Sequence, residues 1–464
     1  MPMFATFFVG VCILVSFLPL GLFLDYPASS SSSSSGRGTG RRPHIDSSSV
    51  EAAVGGLSMD LQNSPLMNQT QCTTEFPLLY PQLDANVAAW RRKGGVKHAD
   101  IEAASKNCRH GCVHVLIVDG QIFIRNQVKD WQSRVRSVLH LLRTAVDGAT
   151  PAEKRQLNNA ELVISTADFD GFSAGNGSGW VLDKRVSDPA GQFLFPDFSF
   201  ASWPEAGIPS YQEFRRSAAK VNEQVPWASK ANKAFWRGDA LANSNIAARN
   251  SLLSVATGAQ ARGWSDVKRT SFWESGPEIG EIVTPHDHCR HKFLVHAEGV
   301  AYSGRSKFIL NCQSAVVMHA LEWTQHFHPA LIGDPDSPDQ NIVQLQGDYF
   351  DQLPTTIQHL RDQDIQDPTT SLASRIAQNA RRTLTHRYLT PASVSCYLRA
   401  ALIDYNSLLD RDSWPNRKGP TLLPGSGVMP GAGTSKGTLK DLGVAGDIEL
   451  SVWHNLGQPE WPPA

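Results

Sequence analysis

Between residues 113 and 409 the chain alternates short apolar runs with amphipathic stretches, a pattern that restricts it to an α/β fold. Val113–Val118 reads as a strand, and Gln121–Arg125 as its partner across an Asp119-Gly120 turn. Trp131–Val146 carries apolar positions at helical spacing, and Glu161–Thr166 is a compact strand that ends just before Asp168. Further strands are expected at His291–His296, Ala315–Met318 and Asn341–Leu345, with helices over Ser303–Leu310, Gln352–Asp362, Thr369–His386 and Ala392–Leu409. Strand–helix alternation in two blocks predicts two α/β domains with a seam between residues 205 and 225. Open α/β sheets bind ligands at the carboxyl ends of their strands, and Asp168 falls at such an end.

Composition narrows the partners. The 464 residues carry a formal net charge of −1, with 41% hydrophobic and 19% charged residues, so nothing draws the chain to nucleic acid in bulk. Any phosphate binding must come from local basic groups. One apolar run, Phe4–Leu24, has the length that a bilayer core requires, roughly 20 residues. Its preceding Met1-Pro2-Met3 lacks a basic residue, which favours an uncleaved signal anchor over a signal peptide cleaved after Ala28. The expected organisation is an anchor over residues 1–24, a Ser-rich stem over 25–70 and an acceptor-side domain over 71–215. A donor-binding domain with a crossing C-terminal helix follows over 216–412, and a Gly/Pro-rich tail over 413–464.

Outside the apolar run lie six cysteines: Cys72, Cys108, Cys112, Cys289, Cys312 and Cys396. An even set in an oxidising compartment invites up to three disulfides, with Cys108 and Cys112 as a possible local pair. Asn68-Gln69-Thr70 and Asn176-Gly177-Ser178 match the acceptor triplet for N-glycosylation.

Three stretches carry chemistry that suits sugar transfer from a nucleotide diphosphate, which needs a base for the acceptor and cations for the leaving group. Asp168, after a buried-looking strand and before Phe169 and Gly171, suits a shielded base; it also reads as a turn aspartate. In Phe235-Trp236-Arg237-Gly238 an arginine beside a glycine suits a diphosphate, since guanidinium binds bidentately and glycine lets the backbone approach. His288 to Cys312 reads strand, glycine-bearing turn, helix, with Gly299, Ser303, Arg305 and Lys307 at a helix start that would favour an anion. The same residues also fit an ordinary strand–turn–helix. His286, Asp287, His288 and His291 match no familiar ligand spacing, and no metal is expected. Asp168-Phe169-Asp170, Asp334-Pro335-Asp336 and Asp410-Arg411-Asp412 share Asp-x-Asp spacing, and the recurrence weakens each as a metal site.

An ordered series of segments resembles glycosyltransferase family 90, which contains the Rumi-type protein O-glucosyltransferases and the fungal capsule-associated xylosyltransferase-like proteins. The series runs Leu162–Phe169, Pro196–Trp203, Trp227–Gly238, His288–Phe293, Glu298–Lys307, Cys312 and Glu322-Trp323, within a likeness from about residue 75 to residue 405. The resemblance implies a GT-B fold of two facing Rossmann-like domains and an inverting, metal-independent transfer from UDP-glucose or UDP-xylose. It places Asp168 as general base and Arg237 and Arg305 on the diphosphate, with Gly238, Gly299, Ser303, Lys307 and Glu322 in the donor half. It pairs Cys289 with Cys312, and leaves Cys72 with Cys396 as a tie from the first domain to the C-terminal helix.

The chain also departs from the family pattern. Asp239 and Ala240 follow the Arg-Gly pair where a basic residue is common, and Asp170 stands where proline is common. Glu460–Ala464 lacks the ER-retention tetrapeptide, so the expected place is a Golgi or ER membrane, the Golgi fitting better, as a single-pass type II protein with the catalytic part lumenal, or secretion after cleavage. The acceptor is expected to be a protein or glycan hydroxyl. The alternatives are a catalytically silent lumenal glycan-binding or scaffold protein of the same fold, and a metal-dependent Asp-x-Asp transferase.

Overall fold

The computed structural model describes residues 55–127, 130–168, 177–188, 191–240, 246–271, 274–276, 279–414 and 448–449. The expected anchor, the stem up to residue 54, most of the tail, Asn176 and Asp170 lie outside these residues. Among the described residues no helix is long and apolar enough to cross a membrane.

The first sheet is built from β1 (Cys112–Val118), β2 (Gln121–Gln127), β3 (Ala160–Ser165), β4 (Trp180–Val181) and β6 (Phe193–Leu194). β1 and β2 form the expected hairpin. Asp119 and Gly120 both take positive φ (50° and 76°), the conformation that lets a two-residue turn follow the twist of the strands. That hairpin makes β1 antiparallel to β2, and β1 is antiparallel to β3 as well, while β3, β4 and β6 run parallel. A Rossmann-like all-parallel pattern therefore does not hold for this sheet. The tail does not stay clear of the fold either, because β13 (Ile448–Glu449) adds to the free edge of β2.

The second sheet, in the order β12 (Val343–Gln344), β10 (Ala315–Met318), β9 (His291–His296), β7 (Ala231–Gly238), β8 (Ser265–Arg269), is parallel throughout. Its central strands are buried, as β-rich runs covered on both faces must be. A two-stranded antiparallel ribbon joins the halves, with β5 (Lys184–Arg185) from the first pairing β11 (Trp323–Thr324) from the second.

The domain boundary drawn at residues 215 and 216 falls inside a helix, Tyr211–Gln224, that starts at Ser210, whose side chain caps Glu213 N at 3.0 Å. This helix serves both halves: the Tyr211 ring meets Phe200 edge-on at 5.1 Å, and Phe214 packs edge-on against Phe308 at 4.8 Å. The C-terminal helix, Pro391–Ser407, crosses back to the first half as expected. Its Tyr397 hydroxyl donates to Leu194 O at 3.0 Å, and Tyr405 sets its ring edge-on to Trp180 and Phe193. Upstream, the expected helix Thr369–His386 is an α-helix over Leu372–Ala380 that widens to a π-helix over Arg381–Tyr388.

Three disulfides are present: Cys72–Cys396, Cys108–Cys112 and Cys289–Cys312. Asn68 is exposed and caps the helix Gln69–Glu75, its side chain accepting from Gln71 N at 2.9 Å.

Candidate active site

Asp168 lies three residues beyond the end of β3, and its side chain is 37% exposed. The segment leading to it is tied down at Thr166, whose N–H and hydroxyl both donate to Gly111 O, at 3.1 and 3.0 Å. Only glycine fits at 111: φ is +53°, and a Cβ there would stand 2.0 Å from Thr166 Oγ1. Arg134, from the helix Gln132–Asp147, reaches Asp168 Oδ1 at 3.4 Å through Nη1.

At the carboxyl end of β7, side chains alternate across the sheet. Trp236 and Gly238 face one way. A Cβ on Gly238 would sit 2.6 Å from the Trp236 ring and 2.8 Å from Arg305 Nη2, so glycine here lets the Arg305 guanidinium lie against the backbone. Arg305 also lies over the Trp236 ring, 5.4 Å from its centroid. Its Nη1 is buried and has no hydrogen-bond partner among the described residues. Burial, with Arg249 nearby, pulls this guanidinium down to about 9. A cation held out of water with a vacant donor is the local signature of an anion-binding position.

Arg237 faces the other way, over the Phe235 ring. Its Nη2 is paired with Glu281 at 2.7 Å and Asp266 at 2.9 Å, and its Nη1 donates to the carbonyls of Trp236 and Asp266. The guanidinium expected on the diphosphate is thus occupied by two carboxylates. The second cation on the Trp236 side is instead Arg249, whose Nε donates to Glu298 O at 2.8 Å and whose Nη1 donates to Asp239 O. Arg249 had a sequence signal that went unused. It sits in the first turn of the helix Ile246–Ala256, where the macrodipole disfavours a cation unless something else holds it.

The turn from Glu298 to Arg305 differs from the expected anion-binding helix start. The helix that follows is only Ser306–Ile309, too short to build a macrodipole, so positive charge there rests on Arg305 itself. Gly299 is required by packing, since a Cβ would stand 2.6 Å from Tyr302 O. Ser303 accepts from Ser306 N through its carbonyl, at 3.0 Å, and opens that short helix. Lys307 is fully buried and paired with Asp197 at 2.5 Å, so its ammonium is turned into the protein and does not face a donor. Glu322 bridges the halves by accepting from Arg185 at 3.3 Å and from the Tyr349 hydroxyl at 3.0 Å.

Residues that the sequence did not single out join these pieces. Asp183, buried after β4, accepts from Tyr302 N at 3.1 Å and so links the first sheet to the Glu298–Arg305 turn. Burial pushes its carboxyl well above the usual carboxylate range, and Asp168, Asp197 and Glu298 push the same way. Asp168 bears electrostatically on both Asp183 and Tyr302. Glu298, also buried, accepts from Trp323 N and Glu322 N at 2.9 and 3.1 Å.

The histidines considered as ligands serve packing. His291 stacks on Phe235 at 3.8 Å, and His288 meets the same ring edge-on. Cys289 is bonded to Cys312, and Asp334 accepts from Asp336 N within its own turn. Among the described residues no three His, Cys, Asp or Glu side chains gather where they could hold a metal ion.

Comparison with known proteins shows what the chain is similar to. The chain is 28% identical to the O-glucosyltransferase rumi of Drosophila pseudoobscura pseudoobscura over 277 residues, 56% of this chain and 63% of that protein. It is 25% identical to Protein O-glucosyltransferase 1 of Rattus norvegicus over 314 residues, 64% of this chain and 72% of that protein. The match thus spans less than two thirds of the length of the rumi protein. The sequence profile of glycosyl transferase family 90 matches residues 68–441, and with a match over most of its length this chain belongs to glycosyl transferase family 90.

Proposed function

We propose that the chain is an inverting glycosyltransferase that moves glucose or xylose from a UDP-sugar to a hydroxyl of a protein or glycan, without a metal. The observation that carries this reading is the imbalance of charge in the site. The Arg305 guanidinium is buried with a donor that has no partner among the described residues, beside a second buried guanidinium, Arg249, while Asp168 stands half-exposed and bears electrostatically on Tyr302 of the same turn. A diphosphate on Arg305 satisfies the first, and an acceptor hydroxyl on Asp168 the second. In this reading Asp168 takes the acceptor proton as the sugar leaves its diphosphate, and the arginine stabilises the charge that develops there. Arg237 reaches the diphosphate only by releasing Glu281. The two halves then act as the acceptor and donor sides of a GT-B arrangement.

The names of the relatives favour glucose, which makes UDP-glucose the first donor to try. Three disulfides fit an oxidising compartment, so the catalytic part is placed in the lumen of the secretory pathway, with Phe4–Leu24 as its membrane anchor.

The test is a panel of UDP-sugars, measured by UDP release and by thermal shift with and without EDTA. Turnover of UDP-glucose or UDP-xylose that survives EDTA is expected. Asp168→Asn should keep its UDP affinity and lose turnover by about 10²–10⁴-fold. Protein that neither binds UDP nor hydrolyses any UDP-sugar would be a silent scaffold, and wild-type turnover in Asp168→Asn would remove that residue from its role.

A further inference from the structure

A carboxylate that serves as a base must be aimed, and the structure surrounds Asp168 with parts that do so. Arg134 is held on two sides, with its guanidinium 4.5 Å from the ring centroid of Trp131 and 4.7 Å from that of Phe198. Flat faces on a flat cation leave little freedom in the direction of its N–H groups. From that fixed position Nη1 makes two contacts on one short segment, donating to Thr166 O at 3.3 Å and facing Asp168 Oδ1 at 3.4 Å.

The parts behind Arg134 are fixed in turn. Trp131 takes a left-handed backbone, φ 50° and ψ 42°, which is unfavourable for a side chain of this size and persists only where its surroundings impose it. Its ring is stacked on His110 at 5.4 Å. His110 and the Gly111 N–H both bond Asp130, at 2.8 and 2.6 Å, just before Trp131. The Cys108–Cys112 disulfide closes that loop. The same Gly111 holds Thr166, so one small loop fixes both the arginine and the strand end that carries Asp168. On its far side Phe198 belongs to a short helical turn capped by Asp197, which accepts from Ser199 N at 2.7 Å.

We propose that Arg134 is a positioning residue for Asp168: clamped between Trp131 and Phe198, it holds the carboxylate turned toward the acceptor. This rests on Asp168 being the base. It also accounts for a half-exposed carboxylate that keeps its direction without being buried, the property that exposure would otherwise take away. Asp183, from the turn after β4, and Tyr302, from the facing turn, lie within electrostatic reach of Asp168 as well.

The experiment compares the full chain with Arg134→Met, Arg134→Lys and Asp168→Asn, following UDP release from UDP-glucose and UDP-xylose with water as the acceptor. Arg134→Met is expected to lose at least tenfold in kcat, with KM for the UDP-sugar and affinity for UDP within twofold of the unsubstituted chain. Arg134→Lys, which keeps the charge but not the flat face, should recover part of the rate. A merely structural role would lower UDP affinity and thermal stability together with the rate. An unchanged kcat in Arg134→Met, or a fall in kcat matched by a fall in UDP affinity, therefore overturns the proposal. If Asp168→Asn is inactive while Arg134→Met shows either of those outcomes, only the role of Arg134 falls. If Asp168→Asn turns over normally, or the unsubstituted chain releases UDP from neither donor, the underlying reading falls as well.

Discussion

The carboxyl end of β3 and the carboxyl end of β7 occupy equivalent places in their sheets, yet they handle charge in opposite ways. After β3, among the described residues, the Asp168 carboxylate stands partly in water and meets Arg134. Around the end of β7 three guanidiniums are packed away from water. Arg237 has Glu281 and Asp266, Arg249 donates to the Glu298 and Asp239 carbonyls with the Asp239 carboxylate acting on it as well, and Arg305 Nη1 has no hydrogen-bond partner among the described residues. Water screens an exposed charge at little cost, whereas a buried one calls for a partner. The first end is therefore built to work in its present state, and the second to receive something negative. Joining them is the Asp197–Lys307 pair, in which a carboxylate from just after β6 meets a lysine from just after the arginine turn.

The largest expected effect tests that join. Both partners are fully buried, so Lys307→Met leaves Asp197 uncompensated and should lower the unfolding free energy by about 3–5 kcal/mol, read from denaturant midpoints. Asp197→Asn combined with Lys307→Met should recover part of it. A loss below about 1 kcal/mol would show that the two ends are held together by other contacts.

Next comes the inequality among the arginines. Arg305→Ala should weaken UDP binding by about 1.5–3 kcal/mol, roughly tenfold or more by calorimetry, because it removes a charged donor that has no other duty. Arg237→Ala should cost less, since its charge is already matched. The reverse order would mean that Arg237 sheds its carboxylates on binding, and the contrast between the two ends would lose its basis.

The smallest effect concerns Glu298 beneath the arginine turn. Burial pushes its carboxyl up from 4.5 to about 7, so the folded chain keeps a proton there that the unfolded chain has already released. The associated stability is complete below pH 4.5 and is lost as pH rises through 7. Glu298→Gln cannot ionise and should remove that share of the slope between those values. An unchanged slope of stability against pH would assign the loss to other groups.

Local pattern revealed much of the scaffold. The β1–β2 hairpin, the strands β3, β9 and β10 and the C-terminal helix follow from period and turn chemistry, which act over a few residues. The position of Asp168 past a strand end was visible for the same reason. The direction of the β1–β3 pairing was not, because it depends on which strands meet. Nor could the sequence separate Arg237 from Arg305. Both are arginines beside a glycine or a turn, and their difference comes from Glu281 and Asp266, which reach Arg237 from other segments. Lys307 was misplaced on similar grounds, since a lysine near a glycine turn looks like a phosphate ligand until the chain brings Asp197 against it. Asp183 and Arg134 act only through partners more than thirty residues away, or through rings contributed by another segment.

The Cys72–Cys396 bond has a consequence for how the protein is made. It spans 324 residues, and the helix that carries Cys396 supplies much of the packing under the first sheet. During synthesis at roughly 5–20 residues per second, Cys72 emerges tens of seconds before its partner exists. Within that interval Cys108, Cys112, Cys289 and Cys312 also emerge, and Cys108 and Cys112, the first to follow, are separated by a loop short enough to close first. The order of emergence thus favours the local bridge early and leaves the long one for last, so the first half cannot finish its own interior until almost the whole chain has been translated.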